Sequence, residues 1–159
     1  MRYLGLDLGT KTLGVSLSDS TFTIASTLKT INFLENDYDS LITELGDIIR
    51  EYNVCKIVLG YPKNMNNTIG ERCETTVKFK EKLEEVFNIE VVLQDERLTT
   101  VQATNYMLEA DISRKKRKKK VDALAANIIL QTYLDKEKGG RLWVKKQWHL
   151  KLLMMKGRK

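Results

Sequence analysis

This 159-residue chain has little histidine, proline or cysteine: one His, one Pro and two Cys. The lone His149 has no companion, so a histidine-based metal site or a histidine acid–base pair is not expected. Cys55 and Cys73 lie far apart with no metal-ligand spacing. Both sit among apolar neighbours and read as reduced core residues of an intracellular protein. No apolar run approaches the length of a membrane span, and the chain opens directly on a strand-like segment rather than a leader peptide, so a cytoplasmic protein is expected. There are no internal repeats and no low-complexity linker. The length suits one domain with one sizeable core.

Charge is distributed unevenly. Residues 138–159 hold eight Lys and Arg and no acid, which leaves 19 basic and 21 acidic residues in 1–137. Seven of those 19 form the unbroken run 114–120, Arg-Lys-Lys-Arg-Lys-Lys-Lys. Positive charge gathered in two places on an otherwise acidic body favours a polyanion as partner. A run that only solubilises the chain is the plainer reading of 114–120.

The stretch from Leu4 to Ser16 carries the most information. An apolar strand runs into Asp7, turns over Gly9-Thr10-Lys11-Thr12, and leaves as a second strand. Asp is depleted in strand interiors, and a buried charge is costly unless something pairs with it. A divalent metal would compensate the charge, and the glycines would let phosphates approach the backbone. Alternatively, Asp7 merely starts the turn.

Residues 2–8, 13–19 and 22–31 read as a three-strand meander. Asp37 and Asp39 offer N-caps to a helix with Leu41, Leu45, Ile48, Ile49 and Tyr52 at helical spacing. A buried strand 54–60, a loop 61–67, a helix carrying Cys73, Val77, Leu83 and Phe87, and a buried strand 89–93 follow. Thr99 or Thr100 caps a further helix to about residue 110, and a last helix spans roughly 119–136. This order implies an α/β fold: a mixed five-stranded sheet, three antiparallel strands then two parallel, with helices on both faces.

Two further isolated acids join Asp7. Glu96 lies just past the last strand, where ligand sites of open α/β sheets gather. Asp122 falls in the first turn of the last helix, flanked by Val121, Ala123 and Leu124. If strand 54–60 separates the first and last strands, Asp7 and Glu96 stand about 10 Å apart by backbone, with the side-chain-free Gly60 between them. Three carboxylates without His or Cys suit Mg²⁺ or Mn²⁺, and such a cluster can hold two ions for phosphodiester hydrolysis. Singly, Glu96 could cap its helix and Asp122 could answer a helix N-terminus. Lys11, Lys63, Asn64, Arg72 and Arg97 fall in loops expected at the same edge, where they could hold phosphates; each could equally be a solvated charge. Arg114, Lys115, Lys116 and Arg117 open the basic run, which ends two residues before Asp122, and read as a substrate arm.

Four blocks in order make the chain resemble a known family. They are Gly5-Leu6-Asp7-Leu8-Gly9-Thr10-Lys11 with Gly14-Val15, the segment Val58 to Asn66, the segment Asp95 to Thr100, and Ser113 to Lys119 running into Val121-Asp122 and on to Gln131. Over residues 1–135 these are similar to the YqgF/RuvX family of Holliday-junction-resolvase-like nucleases, which have the ribonuclease H fold. The resemblance implies Mg²⁺-dependent phosphodiester hydrolysis with Asp7, Glu96 and Asp122 as catalytic, metal-holding acids. It also implies a role in maturing the 5′ end of pre-16S ribosomal RNA, with branched DNA as a second substrate.

Two features depart from the family pattern. Tyr61 stands where a plainer apolar residue is expected, either stacking on a base or packing on its neighbours. Residues 136–159 run past the usual end. They read as a nucleic-acid arm, a basic amphipathic helix, or vector-derived residues. The expected division is therefore a nuclease domain over 1–137 and a basic extension, disordered or foreign to the domain, over 138–159.

Other classes stay in view. The Asp-Leu-Gly-Thr opening also resembles the phosphate loop of the actin and sugar-kinase superfamily, whose members need a second lobe that one domain of this length cannot supply. A nucleic-acid-binding module of the same fold without catalysis is the other alternative. The partner is nucleic acid in either nuclease reading: a monomer suffices for trimming, whereas a junction resolvase needs a dimer.

Overall fold

Alternating apolar residues build the sheet. The computed structural model describes residues 1–61, 71–95 and 124–137. Strands β1 (Arg2–Leu8), β2 (Thr12–Ser18), β3 (Ala25–Asn32), β4 (Val54–Tyr61) and β5 (Glu90–Asp95) pair in the order β3-β2-β1-β4-β5. The β1–β2 and β2–β3 pairs are antiparallel, and β1–β4 and β4–β5 are parallel. The expected mixed sheet is thus present, with its parallel strands joined through helices as that geometry requires.

Helices α1 (Tyr38–Tyr52) and α2 (Glu71–Phe87) cover one face. Leu41, Leu45 and Ile48 of α1 and Phe79 and Leu83 of α2 recur at three- and four-residue spacing. They bury a single core with Leu4, Leu6, Leu8, Leu13, Val15, Ile57, Leu59 and Val91. A third helix, α3 (124–137), covers the opposite face. Its Ile129, Leu130 and Leu134 form a second core with Tyr3, Ala25 and Val58. Successive strand residues point to opposite faces, so β1 divides cleanly: Leu4, Leu6 and Leu8 face α1 and α2, and Tyr3, Gly5 and Asp7 face α3.

Strand β3 starts at Ala25, three residues later than the sequence pattern predicts. Asp19 accepts the N–H groups of Thr23 (2.7 Å) and Ile24 (3.1 Å), and the Phe22 backbone takes a left-handed φ of 57°. A local side-chain turn therefore outcompetes the ladder across 19–24. The Asp37 cap on α1 is positional only, since its side chain makes no capping hydrogen bond. Both cysteines are free thiols, Cys73 buried and Cys55 half-buried.

Candidate nucleic-acid-processing edge

Asp7 is the next-to-last residue of β1, half-buried on the α3 face. Its cross-strand partner in β2 is Gly14. On the other side, the parallel register of β1 with β4 runs to Leu6 opposite Leu59, which brings Gly60 next to the end of β1. Asp7 is thus flanked in the sheet by two residues without side chains. Gly9 closes the turn that follows, its N–H donating to the Thr12 carbonyl at 2.8 Å.

The parallel strands β4 and β5 finish at the same edge. Gly60 pairs with Gln94 and Tyr61 with Asp95. Val92 packs on the second core, so alternation carries Gln94 onto the Asp7 face, where it is 6% exposed. Tyr61 points the other way: burial and a hydrogen bond with Cys73 of α2 raise its pKa. It packs on α2 and offers no stacking surface beside Asp7.

Helix α3 is held over this face by polar contacts that sequence reasoning did not single out. The buried Ser16 hydroxyl donates to the Ala126 carbonyl at 2.8 Å. Gln131 accepts the Ala25 N–H at 2.8 Å and donates to the Thr23 carbonyl at 3.0 Å. At the far end, Lys56 Nζ donates to Tyr133 Oη at 3.0 Å and lies 3.5 Å from Glu137. Burial pulls the Lys56 pKa down, but the Tyr133 hydrogen bond and the neighbouring Tyr3 and Glu137 outweigh it and raise the value. Helix and sheet come close together at Gly5, where an added Cβ would lie 2.7 Å from Leu130 Cβ and 3.0 Å from the Ala126 oxygen. Their signals were legible only afterwards: a glycine inside an apolar strand, and paired serines on one face of β2.

These contacts fix the helix direction. Tyr133 meets Tyr3, with ring centroids 6.1 Å apart, and Ala126 meets Gly5. Moving along β1 toward Asp7 therefore means moving toward the start of α3. Of the expected phosphate-holding residues, Lys11 is exposed in the β1–β2 turn. Arg72 stands in the first turn of α2 and donates to the Leu8 carbonyl at 3.4 Å. The structure brings Asp7, Lys11 and Arg72 to one edge. Glu96, Asp122, Lys63, Asn64, Arg97, Arg114, Lys115, Lys116 and Arg117 lie outside the described residues, as does 138–159.

Among the described residues no three His, Cys, Asp or Glu gather as a metal-binding group. Of the three candidate acids Asp7 alone is among the described residues, and its carboxylate is the hard oxygen donor that Mg²⁺ or Mn²⁺ prefers. Among the described residues, no helix is long and apolar enough to cross a membrane.

Residues 1–136 match the family described as RuvX: Holliday junction resolvase. A Bacillus subtilis protein named "Putative pre-16S rRNA nuclease" is 52% identical over 135 residues, covering 85% of this chain and 98% of the relative. A protein of the same name from Caldanaerobacter subterraneus is 51% identical over 142 residues, covering 87% of this chain and 99% of its own. Among solved structures, T. thermophilus RuvC in complex with a Holliday junction substrate superposes with TM-score 0.56 at 13% identity, covering 87% of this chain and 96% of that one. Fowlpox virus resolvase bound to Holliday junction DNA gives 0.54 at 13% identity, covering 86% of this chain and 98% of that one. At such low identity the likeness establishes the fold, a ribonuclease H-like mixed sheet.

Proposed function

The chain belongs to the RuvX family of Holliday junction resolvases, and on that premise we propose that it is a cytoplasmic, metal-dependent endonuclease that matures the 5′ end of pre-16S ribosomal RNA. The observation that carries the reading is the course of α3. The helix is pinned at Gly5 through Ala126 and runs antiparallel to β1 on the face that bears Asp7. From Gly5 to Asp7 the strand advances about 7 Å, and four residues at helical rise cover about 6 Å. Asp122 stands four residues before Ala126 in sequence, and a helix continued that far back would bring it over Asp7. Glu96 follows Asp95 directly, two residues past Gln94, and strand alternation continued one residue further would turn it toward the same face.

Asp7, Glu96 and Asp122 would hold Mg²⁺ or Mn²⁺, since all three offer hard carboxylate oxygens and nothing softer. The ions, when bound, supply an activated water and neutralise charge on the phosphate. The protein's own part is placement. The glycines beside Asp7 admit a phosphodiester to the sheet edge, and Lys11 and Arg97 supply cations where the strand enters. The basic run 114–120 would gather the polyanion before it reaches the acids.

Cleavage of a precursor 16S RNA 5′ segment, run beside a four-way DNA junction with Mg²⁺ and with chelator, tests the reading. Mg²⁺-dependent cutting of the RNA that disappears in Asp7→Asn supports it. Preferential cutting of the junction by a dimer would favour the second reading, branched-DNA resolution, which the family description and the resolvase fold keep alive. Binding without cutting would make the chain a nucleic-acid-binding module.

A further inference from the structure

A cleft opens at the same edge, on the side of the β1–β2 turn away from Asp7. It encloses about 240 Å³, below the size of a drug-like site but roomy enough for one sugar and its phosphate. Its walls include Thr10 of the turn, Glu35 and Asn36 of the segment before α1, and Arg72 and Thr76 of α2.

The chemistry of those walls is mixed in a definite way. Arg72 is exposed and gives one hydrogen bond to the Leu8 carbonyl, out of the five N–H donors a guanidinium carries. It forms no ion pair with a described residue, Glu35 included, although both line the cleft. Glu35 and Asn36 form the corner of a turn closed by the Asp37 N–H on the Leu34 carbonyl at 2.9 Å, with Asn36 at a left-handed φ of 67°. An acceptor-only carboxylate and a donor-only guanidinium thus face a common space without meeting. A bare anion satisfies Arg72 but is repelled by Glu35. A group that joins an anion to a hydroxyl donor satisfies both.

We propose that this cleft seats the sugar and phosphate of one ribonucleotide beside the bond being cut, with Arg72 on the phosphate oxygens and Glu35 accepting from the ribose 2′-hydroxyl. It rests on the nuclease reading above and adds to it a means of selecting RNA, since the 2′-hydroxyl is what separates the two nucleic acids at a single position. The wall is shared: Leu8, whose carbonyl Arg72 holds, follows Asp7 directly. A strand whose phosphate lies at Asp7 therefore has a neighbouring unit at the cleft mouth.

The test is an amide-resolved NMR titration of the full chain without metal, using 5′-AMP, its 2′-deoxy counterpart and inorganic phosphate. Saturable shifts at Thr10, Asn36 and Thr76 are expected with AMP. AMP should bind about tenfold tighter than the deoxynucleotide, the worth of one hydrogen bond to a carboxylate, and inorganic phosphate more weakly than either. Glu35→Ala, which removes the acceptor, should bring the two nucleotides to parity and improve inorganic phosphate, and Arg72→Gln should weaken all three. Because Arg72 also steadies the turn, the exposed Glu35 variant is the deciding one. Equal affinity for AMP and deoxy-AMP in the wild type, or shifts that avoid the cleft, overturn the proposal. Asp7→Asn separates the two readings: it should abolish cleavage and leave the AMP titration unchanged. A wild-type chain that cuts RNA yet fails the titration loses the cleft alone.

Discussion

Replacing Gly5 by Ala asks whether the docking of α3 sets the stability and the activity together. The new methyl group would overlap the Ser16 hydroxyl and come within 2.7 Å of Leu130 Cβ and 3.0 Å of the Ala126 oxygen. None of these is the loose end of a flexible chain, so the helix must move or the strand must. Overpacking of this kind costs about 1–3 kcal/mol, and displacing Ser16 from the Ala126 carbonyl adds about 1 kcal/mol. A loss of about 2–4 kcal/mol is a large part of a small domain's stability. In urea, with a slope of about 1–3 kcal/mol per molar, the unfolding midpoint should fall by about 1–2 M at unchanged slope. Ser16→Ala in the same background removes the worst overlap, so the double variant should be more stable than the sum of the single losses. An unfolding midpoint within error of wild type would refute the close approach. A variant that is destabilised but cuts at the wild-type rate under folding conditions would break the link between α3 and the acids.

Asp7→Asn should lower Mg²⁺-dependent cleavage by at least about 100-fold, since even residues behind a metal ligand matter at that level, with the thermal midpoint unchanged or raised. Lys56→Met should destabilise the chain by about 1–2 kcal/mol through loss of the Tyr133 and Glu137 contacts. The raised Lys56 pKa means that its contribution is fully present below the unfolded lysine value of about 10.4 and fades only above it; the gap in midpoint between variant and wild type should therefore hold constant from pH 7 to about 10, and narrowing near pH 9 would refute the assignment. Asp19 has its pKa lowered to about 2, by the Thr21 hydroxyl first and then the Thr23 and Ile24 amides, so its contribution is present above about 3.9 and lost as pH falls toward 2; Asp19→Asn should flatten that part of the acid unfolding profile. Changing Lys115, Lys116 and Arg117 to Ala should weaken binding evenly across sequences and reduce the log–log salt slope by about 0.7–0.9 per lost phosphate contact, and an unchanged slope would leave the run a solubilising linker.

The elements most legible in the sequence were those whose periodicity had one physical cause. Strand β1 alternates between a leucine face and the face of Tyr3, Gly5 and Asp7, and α1 repeats its leucines at helical spacing, so both emerge within a residue or so of their bounds. The start of β3 was misplaced because Asp19 and its threonines form a turn that hydropathy does not see. Asp7 was legible for a different reason: a carboxylate inside an apolar strand conflicts with local preference, and such conflicts gather at functional sites. Arg72 gave no such signal. Its bond to the Leu8 carbonyl and its place in the cleft depend on how α2 meets the β1–β2 turn, a long-range relation that no periodicity encodes.

The register of α3 on the sheet was equally hidden, and it bears most on the chemistry. Hydropathy predicts that Ile129 and Leu130 are buried but not where along β1 they land. Gly5 and Ser16 decide that: only a residue without a side chain lets the Ala126 carbonyl approach, and the buried Ser16 hydroxyl finds its acceptor there. Gln131 and Lys56 repeat the lock at two further points, so the helix cannot slide by one turn without stranding several buried polar groups. A slide of one turn is about 5.4 Å, which on the proposed arrangement would carry Asp122 out of reach of an ion held by Asp7. The polar contacts along α3 thus act at a distance from the reaction, and what they would protect is the spacing of carboxylates on which the proposed hydrolysis depends.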